Sequence, residues 1–253
     1  MEAKLKVLSI NTWKCDGAYH DRCRLLAQQI KVLNPDVVLI QESFRTKDLE
    51  ICTAKYIANI LGYCMDFVPS RLKFRKVNGE VRNSYSGLSV LSRFDSIRSG
   101  YFDLPSSEKD GWRNVQFIQY QVPFPLMVIN THLTFLKDSK LKLQQLEALK
   151  TYIDGLETPV FVAGDFNITP DSEYFNWWKN AFNHNIILAQ EAPFEITFPG
   201  NNDGKCLDYQ FLIPKRSDLT IKESQVVLNK KDPELKIYPS DHFGLMSSIC
   251  NEK

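Results

Sequence analysis

Apolar and polar residues alternate along the chain in patterns that predict strands and helices in turn. Leu5–Ile10 has the pattern of a strand, and Asp36–Ile40 contains the continuous apolar run Val-Val-Leu-Ile, which is typical of a strand buried on both faces. Between them, His20–Leu33 has apolar residues at helical spacing and stops at an Asn-Pro pair. A second helix is predicted over Lys47–Leu61 and is closed by Gly62.

The middle of the chain has mostly the pattern of strands. Candidate strands cover Gly87–Leu91, Val115–Val122 and Leu126–Thr131, and the pair Asn78-Gly79 predicts a tight hairpin turn before them. The remainder is mixed. It has helices over Asp138–Ile153 and Ser172–Phe182 (N-capped by Asp171 or Ser172), a loop-rich stretch over 183–206, and strands over Pro159–Ala163, Leu207–Ile213, Leu219–Leu228 and Phe243–Ile249.

No repeat or low-complexity linker divides the sequence, so we predict one domain over residues 1–253. A strand-rich middle flanked by strand–helix units predicts an α/β fold of two packed, mixed β-sheets with helices outside. A purely parallel, doubly wound sheet fits the strand-rich middle poorly.

Composition and charge are those of an ordinary globular protein, 43% hydrophobic with a net charge of +1. No overall basic field indicates nucleic acid or an anionic membrane, although a local basic cluster would be hidden in the sum. We find no signal-peptide pattern, transmembrane segment or evident protein partner, and we expect a cytoplasmic protein; a secreted chain without its leader would look the same. The six scattered cysteines are expected to be mostly buried thiols rather than three disulfides.

Polar side chains with chemical potential follow or precede the apolar strands. Asp165 and Asn167, in Gly-Asp-Phe-Asn, come directly after a buried strand, and residues two apart on an extended backbone point the same way. Asp241 and His242, in Ser-Asp-His, directly precede the last strand. Taken singly, the first motif also fits a polar turn and the second an inert surface histidine.

Other strand ends carry similar residues. Glu42 and Asn11 each end an apolar strand, and a buried glutamate needs a cation or an arginine as its partner. His132 closes a strand, where it suits either a phosphate contact or a structural hydrogen bond. Arg113 suits a phosphate or a surface salt bridge, and Asp208 suits a histidine-orienting carboxylate or a strand cap. Together these oxygen-rich groups and imidazoles indicate a Mg²⁺-dependent phosphoester hydrolase.

In its motifs the chain resembles members of the endonuclease/exonuclease/phosphatase superfamily. The motifs that carry the resemblance occur in the superfamily's order along nearly the whole chain; they are Leu8–Trp13, Asn34–Glu42, Gly87–Arg93, Asn130–Leu133, Gly164–Asn167, Asp208-Tyr209 and Ser240–His242. The resemblance implies a four-layered α/β sandwich of the DNase I-like type, with the active site at one edge of the two sheets.

The resemblance also implies roles for the candidate residues. Glu42 would hold Mg²⁺ (or Mn²⁺ as a substitute), with Asn11 and Asp241 close to it. Asp165 would be the general base for an attacking water, and Asn167 would orient that water or the phosphate. The remaining roles are stabilisation of the transition state by His242, orientation of that imidazole by Asp208, and contacts of His132 and Arg113 with phosphate oxygens. Whether one or two metal ions act stays open.

The substrate is less well defined by these motifs. The opening Asn-Thr-Trp and later Asn-Thr-His-Leu are similar to neutral sphingomyelinase-like members, and Ser-Asp-His-Phe-Gly-Leu is similar to tyrosyl-DNA phosphodiesterase-like members. We expect a small or lipid-type phosphoester, with a nuclease or a DNA/RNA end-processing phosphodiesterase as the alternative. Trp13, Tyr85 and Trp112 suit stacking on a base or covering of a headgroup. A catalytically silent binding module is the alternative of another class.

Overall fold

Two mixed β-sheets form the centre of the protein in the computed structural model, which describes residues 3–137, 139–183, 185–200 and 203–252. In chain order the strands are β1 (Lys4–Asn11), β2 (Val37–Thr46), β3 (Cys64–Val68), β4 (Lys73–Val77), β5 (Glu80–Ser92), β6 (Arg98–Asp103), β7 (Asn114–Tyr120), β8 (Leu126–His132), β9 (Val160–Asp165), β10 (Ile187–Leu188), β11 (Asp208–Ile213), β12 (Leu219–Val227) and β13 (Gly244–Asn251). The first sheet has the order β12-β13-β1-β2-β5-β3, with β4 paired to β5, and the second has the order β10-β11-β9-β8-β7-β6. The β1–β2 and β8–β9 pairs are parallel, and the other pairs are antiparallel.

Helices cover the outer face of each sheet. They are α1 (Tyr19–Leu33), α2 (Thr53–Leu61), α3 (Ser139–Asp154) and α4 (Glu173–Asn180). Apolar residues of α1 and α2 pack on the first sheet, those of α3 and α4 pack on the second, and a separate apolar cluster lies between the sheets. Three apolar interfaces separate four layers, so the predicted sandwich is confirmed. Within the described residues, no helix has the length and apolar character needed to cross a membrane.

The helix ends follow the predicted signals with one exception. Gly62 adopts a left-handed conformation (φ +72°) that closes α2, and Ser172 caps α4 by accepting a hydrogen bond from a backbone N–H. The predicted start of α2 at Lys47 is wrong, because Asp48 accepts bonds from the Thr46 hydroxyl and the Glu50 N–H and so holds a turn there. The predicted first residue of α3, Asp138, lies outside the described residues.

Two features of the first sheet differ from the predicted pattern. The strands β3 and β4 were not predicted, because their exposed residues break the apolar alternation; the hairpin turn at Asn78-Gly79 between β4 and β5 is confirmed. The prediction that Glu42 ends the second strand is wrong, since β2 continues to Thr46. Its register shifts between Ile40 and Ser43, and Glu42 has φ +52°, which is the geometry of a β-bulge.

Strand register brings the candidate residues to one edge of the sandwich. In the second sheet, His132 pairs with Asp165 on β9, and Asp165 pairs with Asp208 on β11. These three residues therefore form a row across three neighbouring strands. Asn11 is the last residue of β1 in the first sheet, and its side chain reaches across to Asp165. Both sheets contribute to the same edge.

Candidate active site

A cavity of about 310 Å³ opens at this edge. Its walls include every candidate residue except Asp208, namely Asn11, Glu42, Arg113, His132, Asp165, Asn167, Asp241 and His242. A second groove, of about 550 Å³, contains none of the candidate residues. Trp13 and Trp112 line the first cavity as predicted, but Tyr85 does not and instead contacts Arg45.

Asp165 lies at the centre of the site and is almost completely buried. Its Oδ2 accepts a hydrogen bond from the Asn11 side chain at 3.0 Å, and its Oδ1 accepts one from the backbone N–H of Asn167 at 2.9 Å. The Nε2 atoms of His132 and His242 lie 3.4 and 3.7 Å from Oδ2. The carboxylate is thus held in one orientation between two imidazoles.

His242 lies between two carboxylates, which favour its protonated form. Its Nδ1 lies 2.8 Å from Oδ2 of Asp208, as predicted for an orienting carboxylate. Burial alone lowers the pKa of His242, but Asp208 and then Asp165 outweigh burial and raise it above the ordinary value. Burial and then the charge of Asp208 raise the pKa of Asp165, against the opposing effect of His242. Oδ1 of Asp208 is buried and has no hydrogen-bond partner among the described residues.

His132 has the opposite character. Burial, followed by the positive charges of Arg113 and His242, lowers its pKa well below the ordinary value, so this imidazole is neutral. Arg113 directly precedes β7 and forms two hydrogen bonds to the buried carboxylate of Asp110, at 3.1 and 2.8 Å. The predicted salt bridge therefore exists, and it is partly buried. These bonds use Nε and Nη2, and Nη1 of Arg113 has no hydrogen-bond partner among the described residues that line the cavity.

Asn167 is fixed by contacts that the sequence did not predict. Its side-chain amide donates to the carbonyl of Leu133 at 3.1 Å, and its own carbonyl accepts from Nζ of Lys142 at 2.5 Å. Lys142 is a buried lysine on α3, and burial lowers its pKa against the opposing charge of Asp165. The lysine supports the turn that follows β9. The sequence did not indicate this role of Lys142, because the residue occurs in an ordinary helical pattern of charged and apolar residues.

The three candidate metal ligands face the same cavity. Glu42 projects from the β-bulge and forms an ion pair with Lys14 at 3.0 Å. Asp241 is partly buried; burial raises its pKa, His242 lowers it and Glu42 raises it, with a net rise. Asn11 accepts a hydrogen bond from the backbone N–H of Trp13 through Oδ1. Two neighbouring carboxylates and an amide oxygen are the oxygen ligands that a hard divalent cation prefers.

Arg22 connects the loop that follows Asn11 with the loop that carries Asp241. The side chain is almost completely buried, and it donates six hydrogen bonds to the backbone carbonyls of Thr12, Trp13, Lys14, Asp16 and Pro239. Its guanidinium also lies 4.7 Å from the centre of the Trp13 ring. Sequence reasoning missed this residue, because its partners lie in loops before α1 and, more than 200 residues later, beside Asp241.

Comparison with known proteins agrees with this architecture. The sequence profile of the Endonuclease/Exonuclease/phosphatase family matches residues 8–242. The endonuclease/exonuclease/phosphatase from Beutenbergia cavernae is 20% identical with a TM-score of 0.76, covering 98% of this chain and 72% of that chain. TDP2 from D. rerio, solved with a single-strand DNA product, is 18% identical with a TM-score of 0.75, covering 97% and 98%. No curated protein matches the chain in sequence.

At these low identities the solved structures establish the fold alone, and the profile match establishes the family. Its members are typically metal-dependent phosphoester hydrolases. The matched region begins in β1 and ends at His242, so it includes every candidate site residue. The chain belongs to the endonuclease/exonuclease/phosphatase family.

Proposed function

We propose that the protein hydrolyses phosphoesters by in-line attack of water at phosphorus, with Mg²⁺ as its cofactor and Mn²⁺ as a substitute. The observation that carries the proposal is the setting of Asp165. This buried carboxylate faces an open cavity, is held by Asn11, and lies 3.4 and 3.7 Å from two imidazoles. A carboxylate whose environment raises its pKa is a better proton acceptor, which suits a general base.

The other side chains divide the remaining work. Asn167 orients the attacking water or the phosphate. His242, which is positively charged, stabilises negative charge that develops on the phosphate, and Asp208 fixes its ring. The neutral imidazole of His132 and Nη1 of Arg113 contact phosphate oxygens.

Glu42, Asp241 and Asn11 would hold the cation. Support comes from the shared cavity wall, from the Lys14 ammonium that now balances Glu42, and from the repulsion by which Glu42 raises the pKa of Asp241. When bound, the cation would neutralise charge on the phosphate and the leaving oxygen.

A second cluster of side chains with metal-binding atoms lies in the same site. One ligand atom each from Asp165, Asp208 and His242 lies within 4.8 Å of the others. We do not assign a cation to this cluster, because protonated His242 already supplies positive charge to the two carboxylates and its Nδ1 is bonded to Asp208. A cation there would have to displace that hydrogen bond.

Two substrate classes are proposed for this site. The first is a small or lipid-type phosphoester. The second is a nucleic acid, cleaved by a nuclease or an end-processing phosphodiesterase. The D. rerio TDP2 structure with a single-strand DNA product supports the second, as do the exposed rings of Trp112 and Phe135 at the cavity wall. A silent binding module is less consistent with the complete set of acids, amides and imidazoles.

The test is metal-dependent turnover of a panel by the wild type and the isosteric variant Asp165→Asn. The panel holds sphingomyelin, single-stranded and nicked DNA, RNA and a nitrophenyl phosphodiester, each with Mg²⁺ and with EDTA. We expect Asp165→Asn to lower turnover about 10²–10⁴-fold. The matched control is Asp171→Asn, which changes an exposed aspartate of the same segment. Undiminished turnover in folded Asp165→Asn would remove Asp165 from the mechanism, and EDTA-resistant turnover would remove the metal.

A further inference from the structure

Three basic side chains line the wall of the cavity formed by β4 and the segment before it. They are Arg71, Lys73 and Arg75, referred to here as the basic wall. Lys73 and Arg75 lie two residues apart on β4 and therefore face the same side of the strand. The net charge of the chain is only +1, so the basic wall is a local concentration of charge.

Carboxylates act on the basic wall only from beyond ion-pair distance: Glu42 and Asp16 raise the pKa of Arg75, although burial gives it a net decrease. Arg71 donates to the backbone carbonyl of Glu108 at 3.3 Å, and Arg75 donates to the hydroxyl of Ser84 at 3.1 Å. Within the described parts of the chain, none of the three forms an ion pair. Burial lowers the pKa of Lys73, and the neighbouring charges of Arg71 and Arg75 lower it further. This crowding of like charge is relieved when an anion binds.

The same hairpin contains a contrasting arginine outside the cavity. Arg82 on β5 pairs with Asp48, Glu50 and Glu80 at 3.1, 2.5 and 2.8 Å. Arg82 thus has three carboxylate partners, and Arg113 and Lys14 at the cavity have one each. Among the described residues, the basic wall has no carboxylate at ion-pair distance. A solvated strand surface gives no reason for this difference, while an anionic ligand in the cavity does.

We propose that the basic wall binds a second phosphate of the substrate, distinct from the phosphate that is hydrolysed. This inference rests on the proposed function, because it takes the scissile phosphate to lie in the cavity beside His132 and Asp165. Two guanidinium groups and an ammonium group match the charge and the several acceptor oxygens of a phosphate. The second phosphate comes either from the neighbouring nucleotide of a single strand or from another ester of a small molecule.

Binding measurements test the inference separately from turnover. The Kd values of thymidine 5′-monophosphate and thymidine 3′,5′-bisphosphate are measured by calorimetry with folded Asp165→Asn protein. We expect the bisphosphate to bind more tightly by about tenfold or more, because its second phosphate gains at least one hydrogen bond to a charged group. Lys73→Gln and Arg71→Gln should each remove most of this preference. Arg82→Gln is the control, and it should keep the preference intact.

The outcomes separate the two claims. Equal affinity for the two nucleotides, or a preference that survives both Lys73→Gln and Arg71→Gln, would overturn the inference. Absence of metal-dependent turnover with a preserved binding preference would instead count against the proposed function. A thymidine tetranucleotide distinguishes the sources: tighter binding than the bisphosphate, with a steeper loss at high salt, indicates a nucleic acid strand, and equal binding indicates a small bisphosphate.

Discussion

Arg22 offers a prediction about stability that follows directly from its contacts. Arg22→Met keeps most of the apolar stem but removes six hydrogen bonds and leaves backbone carbonyls in two loops without their buried donor. A buried acceptor left without its donor costs about 1–3 kcal/mol, and several carbonyls lose their donor here, so we expect a loss of about 3–5 kcal/mol. Each kcal/mol lowers the Tm of a domain of this size by roughly 2–4 °C. We therefore expect Tm to fall by about 6–20 °C.

The assay is urea unfolding followed by circular dichroism, together with a thermal scan. Arg22→Lys should recover part of the loss, because an ammonium reaches fewer of the carbonyls. The matched control is Arg24→Met on the same helix, where an exposed arginine pairs with Asp21 at 3.5 Å. It should change the unfolding free energy by less than about 0.5 kcal/mol. A loss of under about 1 kcal/mol in Arg22→Met would refute the reasoning, since it would mean that water replaces the guanidinium at little cost.

Three further predictions concern other parts of the molecule. Gly164→Ala should lower the free energy of unfolding in urea by about 3 kcal/mol or more, because the new Cβ would lie 1.9 Å from a backbone oxygen of β8. The control is Gly155→Ala, where no atom lies closer than 3.6 Å to the new Cβ. Equal stability of the two variants would contradict the argument. Thiol labelling should modify Cys64 quickly and the five buried cysteines only after unfolding, and six equal rates would contradict that burial. Asp208→Asn should lower Tm, because it removes one partner of a buried pair, and folded protein should lose turnover on the order of tenfold or more, because the anchor of His242 is gone. Unchanged turnover would refute that role.

Much of the fold was predictable because local signals and tertiary packing agree. The run Val-Val-Leu-Ile forms the buried core of β2, and Gly62 and Ser172 end or begin their helices as their chemistry dictates. The failures occurred where local side chains compete with the pattern. Asp48 holds a turn in place of a first helical turn, and β4 presents Lys73 and Arg75 to a cavity that periodicity cannot reveal. The cysteines are thiols, five of them buried, as expected.

The candidate site was predictable in its membership but not in its contacts. Motif residues at strand ends identified the row of Asp165 and its neighbours, because strand register then brings them together. Sequence reasoning missed Lys14, Arg22 and Lys142, whose partners lie in separate loops and helices. Such pairings depend on how the elements pack. Similarly, Asn11 was expected beside a metal, and its hydrogen bond to Asp165, 154 residues away, adds a positioning contact that no local pattern contains.

The central claim is that a water molecule activated by Asp165 attacks phosphorus in a metal-dependent reaction. The most direct measurement is a single turnover of a nitrophenyl phosphodiester in heavy-oxygen water, with Mg²⁺ and with EDTA. We expect product only with Mg²⁺, and one heavy oxygen in the phosphate group released in the first turnover. Product that forms in EDTA, or first-turnover product without the heavy oxygen, would contradict it.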